Sequence, residues 1–75
     1  MVSAYVTNVT RRIVRMFERY AENIDPDDEK FQAYVSNFLE ENGVKDPEDL
    51  GYAELYLLIQ RAIRNFLSKQ ENELS

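Results

Sequence analysis

Seventy-five residues with a net charge of −5, no cysteine and no histidine bound what this chain can be. It is one domain at most, its core is small because a chain of this length buries roughly 60% of its unfolded surface, and it has neither a disulfide framework nor the usual zinc ligands. No thiolate nucleophile or redox switch is available, and self-association is the remaining common means of stabilising so small a fold. The longest unbroken apolar run is Leu55 to Ile59, far short of the ~20 residues of a membrane-spanning helix. The N-terminal MVSAYVTNVTRR carries its arginines after its apolar residues, the reverse of an export signal, so a cytoplasmic location is expected. On that reading the sequon at Asn8 is a chance match.

Charge is unevenly spread. Residues 1–24 hold four arginines against two glutamates, residues 25–49 hold nine acids against two lysines, and residues 50–75 balance. Such a bipolar chain disfavours non-specific binding to nucleic acid and favours a basic partner or an antiparallel copy of itself.

In the first segment Val2, Tyr5, Val6, Val9, Ile13, Met16, Phe17, Tyr20 and Ile24 recur at three- and four-residue steps, the helical period. One helix is predicted over about 3–24. On a wheel at 100° per residue, Arg11, Arg12, Arg15 and Arg19 fall opposite Ile13, with Glu18 and Glu22 spaced for pairing. This arginine stripe reads first as a solvated face and second as a contact for phosphate or an acidic partner, since arginine forks both ions well.

The tetrapeptide DPDD at 25–28 then returns as DPED at 46–49. Asp25 and Asp46 are predicted helix N-caps, with Pro26 and Pro47 in a first turn where a missing N–H costs nothing and the following acids facing the positive helix end. A calcium loop fails at both places. Begun at Asp25 it puts Lys30 where glycine is required and Ser36 at the last ligand; begun at Asp46 it reaches Gly51 correctly but ends on Leu57. Phe31, Tyr34, Val35, Phe38 and Leu39 predict a second helix over about 26–42, ended by Asn42-Gly43. Gly51 predicts a short turn over 47–50, a break, and a main third helix from Tyr52 to about residue 70, with a fraying tail over about 70–75. The expected architecture is all-α: a single three-helix antiparallel array in which the two acidic helix starts lie at opposite ends.

Apolar breadth points to function. The second helix carries an apolar arc of about 140°, the first and third about 180°, against the ~100° that one core contact needs. Surplus positions include Tyr5, Val14, Met16 and Ala21 on the first helix and Tyr56, Leu58 and Leu67 on the third, while Leu57 falls between Arg61 and Arg64 on the polar face. These define an expected partner or dimer surface of Val14, Met16, Tyr56, Leu57, Leu58, Arg61 and Arg64. The alternative is nucleic-acid contact through Arg11, Arg12, Arg15 and Arg19. An acidic helix start would be repelled by phosphates, and the tyrosines lack the interleaved bases of a single-strand reader, so this comes second. No enzyme, cofactor or metal is expected: neighbouring acids such as Asp27 and Asp28 diverge by about 100° on a helix, and no nucleophile–base pair or glycine-rich phosphate loop is present. The expectation is a small cytoplasmic or virus-encoded protein-binding module, regulatory or scaffolding, homodimeric, with an unidentified protein partner.

Overall fold

The computed structural model describes residues 3–74, and side chains as far as Gln70. It is a compact all-α domain of four helices: α1 (Ala4–Met16), α2 (Glu18–Asn23), α3 (Glu29–Glu41) and α4 (Tyr52–Leu74), with a 3₁₀ turn at Pro47–Asp49. Val2 lies outside the described residues, and the fraying expected over about 70–75 falls mostly outside the described side chains. No described residue is in a strand.

Ser3 starts α1, accepting the Tyr5 N–H at 3.2 Å on Oγ, while its carbonyl takes the Thr7 N–H. A serine just ahead of a periodic run is the ordinary N-cap signal. The predicted first helix is not continuous. Phe17 adopts an extended conformation (φ −123°, ψ 107°) that ends α1 and opens α2, so that Tyr20 and Ile24 turn back into the core.

The start of α3 also differs from expectation. Asp25 Oδ1 accepts the Asp27 N–H at 2.9 Å, closing a side-chain turn one step ahead of the helix, and the residue at the N-cap is Asp28, which faces Lys30 N–H at 3.4 Å. The helix therefore begins at Glu29, not Pro26. Its other end is as predicted in kind. Gly43 has φ +82°, the Gly43 N–H reaches the Glu40 carbonyl, and the Val44 N–H reaches Leu39, which is the paired bonding of a left-handed glycine terminus. Asp46 Oδ1 accepts the Glu48 N–H at 3.1 Å and so caps the 3₁₀ turn. The chain breaks at Gly51 and re-enters helix at Tyr52, as the sequence predicted.

The core is built around α4, where Leu55, Ile59, Ala62 and Ile63 are fully buried, against Val6, Val9 and Ile13 of α1 and Phe31, Val35 and Leu39 of α3. Each buried valine, leucine, isoleucine or phenylalanine among them contributes about 1.5–3 kcal/mol. Phe66 packs edge-on against Phe31 and Tyr34, with ring centroids 5.1 and 5.3 Å away. The buried hydroxyl of Thr10 donates to the Val6 carbonyl at 2.8 Å, and no described buried side-chain polar atom lacks a partner. Asp28 shares a groove with Lys69 and Gln70, late in α4, whereas Pro47 shares one with Ser3 and Glu40. The two acidic helix starts thus lie at opposite ends of the array.

Candidate functional site

The flanks of α4 have different neighbours, α1 along one and α3 along the other. On the flank shared with α1, the Tyr56 hydroxyl lies 4.0 Å from Met16 Sδ, and the Tyr52 and Tyr56 rings stand 6.1 Å apart. The Arg12 guanidinium sits 5.9 Å from the Tyr52 ring centroid, with one nitrogen 3.5 Å from the Tyr52 hydroxyl. That geometry suits a cation over an aromatic face. Beyond Met16 the bend at Phe17 opens a shallow groove of about 460 Å³, floored by Phe17, Tyr20 and Leu67 and edged by Arg19 and Arg64. Phe17 and Tyr20 are in ring contact at 5.2 Å.

Exposure singles out this surface. Met16 is 67% exposed, Leu57 60%, Tyr52 45% and Phe17 38%, and these are the large apolar side chains exposed among the described residues. Tyr52, Met16 and Phe17 lie along the α1–α4 flank, whereas Leu57, about 100° round the helix from Tyr56, projects from the outer side of α4, one turn before Arg61 and two before Arg64.

Of the surface residues expected from sequence, Tyr56 and Met16 are in contact and Arg64 edges the groove beyond them, while Leu57 and Arg61 are exposed on the outer side of α4. Two are covered, wholly or in part. Val14 is only 4% exposed: the bend after Met16 brings α2 back, and Val14 shares a crevice with Ala21, Ile24 and Pro26. It belongs to the monomer's own core. Leu58 is half-buried and packed against that core; one residue beyond Leu57, it is rotated by about 100° toward the α3 side of α4. Conversely, Tyr52 and Phe17 belong to the face and were not singled out, and Arg12, expected only as an alternative nucleic-acid contact, borders it through Tyr52. Tyr52 was legible as the residue one turn before Tyr56. Phe17 was not, because its position depends on the bend.

The arginine stripe divides. Arg11 pairs with Asp27 at 2.6 Å, both side chains about half exposed, and with Arg15 it borders a crevice that also contains Asp25 and Asp27. Arg12 turns the other way, to Tyr52, and Arg19 lies beyond the bend. Basic first helix and acidic middle segment therefore meet within one chain. Carboxylates of Asp25 and Asp27 line the groove edged by Arg11, and among the described residues none lines the groove edged by Arg64.

No protein-family model matches this chain, and neither the curated proteins nor the solved structures contain a match to it. Among the described residues no helix is long and apolar enough to cross a membrane.

Proposed function

We propose that this chain is a non-catalytic protein-binding module, regulatory or scaffolding in role, whose contact surface is the α1–α4 face. The observation that carries this reading is the exposure of Met16, Phe17 and Tyr52 along the line between α1 and α4, together with that of Leu57 on the outer side of α4. An apolar centre with aromatic and arginine neighbours has the make-up of an interface in which a few residues dominate the binding energy.

A homodimer is the second form of the same proposal. The exposed Leu57 favours it, since two-fold pairing would cover the same apolar patch twice. Two of its original motives are weaker: Val14 is already covered, and Arg11 finds its acid in Asp27 of its own chain. That intrachain pair also counts against nucleic-acid contact through Arg11, Arg12, Arg15 and Arg19.

A photo-crosslinking amino acid at position 57, expressed in the native host, tests the reading against the same group at the exposed Glu41 of α3. Crosslinks to protein from position 57 and few from position 41 are expected. Crosslinks of equal yield from both positions, or none from 57, would overturn the docking surface, and adducts of exactly twofold chain mass would select the homodimer.

A further inference from the structure

We infer that the bend at Phe17 is the hinge of an exchange between two copies of this chain: α1 and α2 join into one straight helix, and α1 of each copy packs into the core of the other. The first ground is a conflict at the bend. Ile13, Met16, Phe17, Tyr20 and Ile24 continue one apolar stripe at helical spacing, and residues 1–25 contain no glycine or proline to stop a helix. Yet Phe17 is extended, and α2 opens without a side-chain cap. A break inside a helix leaves backbone N–H and C=O groups on both sides of it without intrahelical partners, and the Tyr20 N–H reaches back only three residues, to the Phe17 carbonyl at 2.9 Å. Two copies satisfy both the helical period and the core. In the exchanged form α2 keeps its place beside Arg64, Leu67 and Ser68 of its own α4, with Tyr20 and Ile24 buried, while α1 runs on in line with it, about 30 Å in all, and is received by the other copy.

The second ground is that the exchanged surface is already complementary, because it is the interior of the closed chain. Val6, Val9, Ile13 and Val14 of α1 are at most 4% exposed. Arg11 pairs with Asp27 at 2.6 Å, the Tyr5 hydroxyl donates to the Leu50 carbonyl at 3.3 Å, and Arg12 stands over Tyr52. Each of these becomes a contact between copies with its partners unchanged, so exchange of an identical element requires no new surface. New contacts are confined to the hinge, a single non-helical residue between Met16 and Glu18 that a straight helix can absorb. There the exposed Met16 and Phe17 lie where the two straight helices pass, and each copy covers those of the other. The exchange differs from a two-fold contact between closed chains and is independent of docking at the α1–α4 face.

The test exploits the lack of native cysteine. Chains carrying Arg11→Cys alone are mixed with chains carrying Asp27→Cys alone, warmed through the melting transition at high concentration, cooled and treated with a short bismaleimide. Positions 11 and 27 face each other within one closed chain, so a product joining the two species requires α1 of one copy to lie against the other. That product is expected, with a doubled mass in light scattering that persists on dilution, because α1 must leave one core before it returns to its own. Glu18→Pro in both backgrounds locks the hinge. Glu18 is exposed and holds the first position of α2, where proline is tolerated, and proline favours the extended conformation already present at Phe17, but it breaks a straight helix. This variant is expected to keep the monomer's circular dichroism and to lower the yield of joined product at least tenfold. Hydrogen exchange reads the hinge without any substitution: in the dimer of the unaltered chain, the amides of residues 17–20 should gain at least tenfold protection over the monomer. A monomeric mass at every concentration, or unchanged protection of those amides in the dimer, would overturn the exchange. So would dimers that give no 11–27 product or form equally well with Glu18→Pro, which would be closed chains paired through their surfaces.

Discussion

Two interruptions of the helical backbone, at Gly51 and at Phe17, have opposite origins. At Gly51 the cause is local. Asp46 caps a turn, Pro47 occupies its first position and the glycine disfavours propagation, so the residues themselves explain why α4 starts at Tyr52. At Phe17 no local cause exists, for residues 1–25 contain neither glycine nor proline, and α2 begins without a side-chain cap. A straight helix over the same residues would extend about 30 Å, against about 20 Å for α3, and would carry Tyr20 and Ile24 past the core. Bending leaves them 8% and 5% exposed, and each buried side chain of this size contributes about 1.5–3 kcal/mol. Two such gains offset the hydrogen bonds forgone at the bend. The lesson is that a helix can be broken from within by its own residues, or from without by the core it must reach.

The sharpest way to break this comparison is to remove what holds the bend. Tyr20→Ala should lower stability by about 3 kcal/mol, as for other large buried side chains, and should strip amide protection from residues 18–23 first in hydrogen exchange. Urea denaturation measures the first effect; a loss under about 1 kcal/mol would mean that burial of Tyr20 is not what bends the chain.

The two glycines refine it. Gly43→Ala forces a side chain into a left-handed conformation at φ +82° and should cost about 1–2 kcal/mol. Gly51→Ala meets no atom within 4 Å and has no positive φ, so it should be neutral or stabilise by up to about 1 kcal/mol through the unfolded chain. Equal losses in thermal melts of the two variants would show that Gly51, too, is required by its backbone.

The smallest effect separates the two aspartates before α3. Asp28→Ala should cost about 0.5–1 kcal/mol as a cap, at the low end because its bond to Lys30 is long at 3.4 Å. Asp25→Ala, which loosens only the preceding turn, should cost less in the same chemical denaturation series. The reverse order would return the cap to Asp25.

Much of the α-helical framework was legible because its signals are local. The periodicity of Val6, Val9 and Ile13 and of Leu55, Ile59, Ala62 and Ile63 marked the buried faces, Asn42-Gly43 marked a helix end, and Asp46-Pro47 with Gly51 marked the last helix start, each within a few residues of the feature it specifies. The start of α3 slipped by three residues because DPDD offers three aspartates, and only the position of Phe31 in the core selects Asp28. The candidate face was legible in part. Met16 and Tyr56 followed from arcs too wide for one core contact, and Leu57 from its place between Arg61 and Arg64 on the polar face, but a wheel treats both flanks of a helix alike. Which flank is covered depends on the neighbour that lies there. Only tertiary packing could bury Val14 beneath the returning chain and open the groove at Phe17, because both follow from a bend that no residue near it encodes, and only the placement of α1 and α3 along α4 decides which neighbours Leu58, Arg11 and Arg12 meet.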